Sequence, residues 1–106
     1  MDKKKDKIMK IIGEFIKKVK ENINVDRLIL FGSRARGDFT KESDVDLIII
    51  SKDFEGIKFF RRAPQLYRLW NEPYDIDIVC LTPKEFAQKI KEIGIMGTVI
   101  KEGVEL

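Results

Sequence analysis

Histidine is absent from this chain, and cysteine occurs once, at Cys80. No imidazole is available for acid–base catalysis, and most zinc sites are excluded with it. A lone cysteine excludes an internal disulfide, and its place in an apolar run makes it an inert core residue. Long apolar runs are missing too. None approaches the ~20 residues of a membrane span, and the opening Met1-Asp2-Lys3-Lys4-Lys5-Asp6 has no apolar core of a secretory signal behind it. These absences predict a cytoplasmic protein without membrane attachment. Charge of one sign is also scarce: 21 Lys and Arg against 18 Asp and Glu leave only +3, too little to predict direct nucleic-acid binding. The 106 residues predict a single domain, 1–106, with one core and no second acceptor-binding domain of ordinary size. Whatever chemistry the chain performs falls to its carboxylates.

What is present is concentrated in one stretch. An apolar strand, Leu28-Ile29-Leu30-Phe31, runs into Gly32-Ser33-Arg34-Ala35-Arg36-Gly37, and ten residues after Ser33 a second apolar strand opens as Asp44-Val45-Asp46. Glycine lets the backbone approach a phosphate closely, a serine hydroxyl and the N–H groups of a following helix start can bond its oxygens, and arginines balance its charge. Side chains alternate across a strand, so Asp44 and Asp46 share one face with Cα atoms roughly 6.6 Å apart. That spacing lets them converge on divalent ions about 3.5–4 Å apart. A turn cap at Asp44 would explain one acid. It would not explain acids opening two adjacent buried strands on one face, where like charges cost stability unless a cation balances them.

Around this stretch the apolar pattern predicts the elements. Ile8, Ile12, Phe15, Ile16 and Val19 recur at helical spacing between about Lys3 and Asn22, with lysines on the solvated face. Strands are expected at Asp26–Phe31, Asp44–Ser51 and Tyr74–Leu81, and a short edge strand at Val104–Leu106. Ser33–Arg36 starts a short helix, and Glu55–Asn71 is helical but kinked or split by Pro64. Thr82-Pro83-Lys84-Glu85 is a capping box opening a helix to about Ile93, ended by Gly94. The Gly-Ser turn leaves the end of the first strand while the acids open the second, so the two meet only if these strands are antiparallel. A helical crossover makes the second and third strands parallel, which brings Asp75 and Asp77 toward Asp44 and Asp46. Both Asp75 and Asp77 point to one face, and spacing does not choose between them. The fold class is α/β of the α+β kind: a three- to four-stranded mixed sheet flanked by helices, in the order α-β-α-β-α-β-α.

Gly-Ser, ten residues, then Asp-x-Asp, with Gly-Ser-x-Ala-Arg-Gly filled by Gly32 to Gly37, resembles the minimal nucleotidyltransferases of the DNA polymerase beta superfamily. The resemblance covers most of the chain and implies the nucleotidyltransferase fold. It implies Asp44 and Asp46 as shared ligands of two Mg²⁺ ions, with a third acid flanked by apolar residues on the neighbouring strand. Asp77, between Ile76 and Ile78, matches that acid. Gly32, Ser33 and Arg36 become the nucleotide-binding residues, and Asp44, Asp46 and Asp77 the catalytic ones. Stand-alone domains of this kind are often encoded beside a helical HEPN-domain ribonuclease toxin and act as its antitoxin, in some cases by adenylylation. The resemblance thus implies AMP transfer from ATP to a hydroxyl of such a partner. Neutralisation by contact alone, or transfer to a small molecule, are the alternatives. Phe59, Phe60, Tyr67 and Trp70 divide between core packing and a partner-facing surface.

Overall fold

A computed structural model of the chain describes residues 3–32, 44–92 and 103–106. The first element is a helix, α1, over Lys3–Asn22. Its buried residues Ile8, Ile12, Phe15 and Val19 fall three or four apart, and burial of each stabilises the fold by roughly 1.5–3 kcal/mol. They lie against one face of a four-stranded sheet built from β1 (Arg27–Phe31), β2 (Val45–Ile50), β3 (Ile76–Leu81) and β4 (Val104–Glu105), in the order β3-β2-β1-β4. That face carries Leu28, Leu30, Val45, Leu47, Ile49, Ile76, Ile78 and Cys80. The opposite face carries Ile29, Ile48, Ile50 and Leu81 and is covered by Phe86 of α4 (Pro83–Lys91).

Both expected pairings are present. Strand β1 runs antiparallel to β2, with Phe31 opposite Asp46, and β2 runs parallel to β3, with Val45 opposite Ile76 and Asp46 opposite Asp77. The unbroken apolar run of β2 reflects its internal place in the sheet, since Leu47 to Ile50 are all buried. The edge strand at the carboxyl end also forms, as β4 antiparallel to β1.

The parallel pair needs a crossover, and it is more broken than one kinked helix. Ser51 leads into a 3₁₀ turn at Lys52–Phe54, followed by α2 (Phe59–Arg62) and α3 (Pro64–Tyr67). Pro64 cannot donate a backbone hydrogen bond, so it opens the second short helix instead of continuing the first. Leu66 is fully buried, and Trp70 meets Phe15 edge to face at 5.1 Å while its Nε1 donates to the Tyr74 carbonyl at 2.7 Å. By contrast Ile57, Phe59 and Phe60 are exposed, the last two by 57% and 69%. The aromatic segment therefore divides between core and surface. The capping box at the start of α4 is complete: Glu85 N–H donates to Thr82 Oγ1 at 3.1 Å, and Glu85 Oε1 accepts from the Thr82 N–H at 2.8 Å. The expected short helix after Gly32 and the stop at Gly94 lie outside the described residues.

Far from the Gly32 end, the loops flanking β1 and β2 are stitched together. Asp26 accepts from the Lys52 N–H and Asp53 from the Asn24 N–H, each at 2.8 Å. The buried Ser51 hydroxyl donates to the Asn24 carbonyl and accepts from the Asp53 N–H at 3.0 Å. These bonds satisfy backbone groups that the strand ends would otherwise leave open.

Candidate active site

Topology creates the site. Antiparallel β1 ends where β2 begins, and parallel β3 begins at the same level, so Gly32, Asp44, Asp46 and Asp77 gather at one end of the sheet. In-register residues on adjacent strands share a face, and neighbouring strands lie about 4.8 Å apart. Asp46 and Asp77 therefore stand side by side on the face that carries Ile48 and Val79. The Val45 N–H donates to the Asp75 carbonyl at 2.8 Å, which puts Asp44 and Asp75 on the next rung of that face. Ser33 and Arg36 lie outside the described residues.

Gly32 has a role here that sequence reasoning missed. Its φ is +76°, in the left-handed region, and a Cβ at this position would collide with the Asp46 carboxylate. The space a side chain would fill is the space Asp46 uses. The glycine of the turn and the first acid of the register pair are thus one packing unit.

Carboxylate oxygens are the donors that Mg²⁺ takes, and Mg²⁺ is held by one or two protein carboxylates together with substrate phosphates. The register pair and the cradle at Gly32 fit that donor set. As the side chains stand, no three acids among the described residues are close enough to hold one ion together. Asp46 and Asp77 are the pair the backbone brings together, with Asp44 and Asp75 one rung away.

Other side chains hold the framework. Arg62 is buried and its guanidinium is satisfied there: Nε donates to the Ile57 carbonyl at 2.9 Å and Nη1 to the Cys80 carbonyl at 3.1 Å. Its two terminal nitrogens also grip Glu85, at 2.5 and 3.2 Å. The bond from Arg62 holds the Glu85 carboxyl below its usual value, against the opposing effect of its partial burial. Burial pushes the Cys80 thiol up to about 12, so at neutral pH it is an unreactive core group. Beside β3 an open groove of about 470 Å³ is lined by Phe59, by Val79 and Leu81 of the Asp77 face, by Glu85, Gln88 and Lys89 of α4, and by Glu92 just after it.

Comparisons with known proteins identify the family. Residues 12–74 match the nucleotidyltransferase domain family, a stretch that includes Gly32, Ser33, Asp44 and Asp46 and stops short of Asp77. A relative from Methanocaldococcus jannaschii, provisionally named a protein adenylyltransferase, is 34% identical over 95 residues, covering 83% of this chain and 96% of the relative. A second protein of that organism with the same provisional name is 45% identical over 51 residues, covering 45% of this chain and 51% of its own length. Among solved structures, a provisionally assigned nucleotidyltransferase from Sulfolobus solfataricus superposes with a TM-score of 0.69 at 24% identity, over 95% of this chain and 80% of that one. At that identity the likeness shows the fold. The chain belongs to the nucleotidyltransferase domain family and is a transferase of that class. No helix among its described residues is long and apolar enough to cross a membrane.

Proposed function

We propose that this single domain transfers AMP from ATP to a hydroxyl of a partner protein in the cytoplasm, and that the partner is a HEPN-type toxin which the modification neutralises. The observation that carries the reading is the in-register pair Asp46 and Asp77, with Gly32 shaped around the Asp46 carboxylate. The provisional name of the Methanocaldococcus relatives supports a protein as acceptor.

In this reading Asp44, Asp46 and Asp77 hold two Mg²⁺ ions, and Gly32, Ser33 and Arg36 receive the triphosphate. Bound Mg²⁺ would lower the pKa of the attacking hydroxyl and offset charge on the phosphates. The acceptor oxygen attacks the α-phosphorus, the bond to the bridging oxygen of the β-phosphate breaks, and pyrophosphate leaves. The hydroxyl proton passes to a carboxylate of the cluster or to water. Gly32 keeps the turn low enough for phosphate and acid to meet, and strand register holds the acids at one level. The exposed Phe59 lines the groove beside β3 together with Val79, two residues beyond Asp77 on the same face, and offers apolar surface there.

The test is intact-mass spectrometry of the partner after incubation with this chain and Mg²⁺-ATP. AMP additions are expected, and they should vanish with an Asp44→Ala, Asp46→Ala double variant. An unmodified partner that the double variant still neutralises would replace the enzyme reading with neutralisation by contact.

A further inference from the structure

Among the described residues strand β3 is at the edge of the sheet, with a strand partner on one side only. The Val45 N–H donates to the Asp75 carbonyl and the Ser51 N–H to the Leu81 carbonyl, so the odd-numbered residues of β3 turn their backbone groups toward β2. Ile76, Ile78 and Cys80 turn theirs outward. Two of those outward groups are taken by side chains of the crossover: the Ile78 N–H donates to Tyr67 Oη at 2.9 Å, and the Cys80 carbonyl accepts from Arg62 Nη1. Such caps protect an edge from pairing with another chain.

The Ile78 N–H has a further property. It belongs to the peptide unit that joins Asp77 to Ile78, and the carbonyl of that same unit faces β2 in the established register. One side of the plane is held by the sheet and the other by a phenol. Rotation about the bonds that aim Asp77 is thereby restrained from both sides. The backbone of Tyr67 is anchored, since its N–H donates to the Ala63 carbonyl at 3.0 Å and its neighbour Leu66 is fully buried, while Tyr67 as a whole is 39% exposed.

We propose that Tyr67 is a positioning residue for the site: through its bond to the Ile78 N–H it fixes the peptide plane that presents Asp77 beside Asp46. This rests on Asp77 being the third acid. The probe is Mn²⁺, titrated by electron paramagnetic resonance in the presence of a non-hydrolysable ATP analogue, with wild type, Tyr67→Phe, Asp77→Asn and the double variant. Tyr67→Phe keeps the ring and removes only the hydroxyl, so it should weaken Mn²⁺ binding about three- to tenfold, the range of one modest hydrogen bond. Its Tm should fall by no more than several degrees, and exchange of the Ile78 amide with solvent should quicken. The double variant should bind Mn²⁺ no more weakly than Asp77→Asn alone, because the hydroxyl acts through that acid. Wild-type Mn²⁺ binding by Tyr67→Phe, or losses that simply add in the double variant, would overturn the proposal. If Asp77→Asn alone leaves Mn²⁺ binding unchanged, the assignment of Asp77 falls and the role of Tyr67 falls with it.

Discussion

A single atom decides the character of position 32. Left-handed backbone at φ +76° disfavours any side chain, and here the missing Cβ is also the room for the Asp46 carboxylate. Gly32→Ala is expected to cost about 1–3 kcal/mol of stability, read as a lower urea midpoint, and to abolish Mg²⁺-dependent ATP binding by displacing Asp46. Asp77 and Asp75 make a sharper contrast. Asp77→Asn removes a like charge directly opposite Asp46, so the variant should keep or raise its Tm while losing AMP transfer, and Asp75→Asn should do much less. The reverse order of activities would move the third acid to Asp75. Most of this was legible in the sequence, because a turn glycine and Asp-x-Asp are local patterns with local geometry. The collision between Gly32 and Asp46 was not, since it depends on β1 and β2 pairing in the register that sets Phe31 opposite Asp46.

At the scale of elements, short-range chemistry was readable and long-range chemistry was not. Thr82 and Glu85 cap their helix across three residues, as their spacing predicts. The same Glu85 takes Arg62 from 23 residues away, a partnership no periodicity could show. Tyr67 and Arg62 sat in a segment whose aromatics invited only a choice between core and surface, yet both cap the open edge of β3. The Arg62–Glu85 pair has a consequence for acid stability. The folded-state pKa of Glu85 is lowered, so its contribution is fully present above the unfolded value near ~4.3 and is lost as pH falls through the folded value. Glu85→Gln should therefore lower the Tm by a few degrees at pH 7, and its gap from wild type should narrow as pH falls below the unfolded value and close below the lowered folded one. A gap that stayed constant down to acid pH would show that the charge of Glu85 contributes nothing.

For the whole molecule the strand order does the functional work. An antiparallel pairing, predicted from where the turn leaves β1 and the acids open β2, and a parallel one, predicted from the helical crossover, bring three strand ends to one level. The division of the crossover into two short helices was only partly foreseen, because Pro64 marks a break without saying which side chains turn inward. The central claim is that this end of the sheet transfers a nucleotide and not a phosphate. It is tested most directly with ATP labelled either in the α- or in the γ-phosphate, incubated with Mg²⁺, this chain and its co-expressed partner, and followed by denaturing electrophoresis. Label from the α-phosphate should appear on protein, label from the γ-phosphate should not, and Asp46→Asn should remove the signal. Transfer from the γ-phosphate, or α-label that survives in Asp46→Asn, would contradict the account.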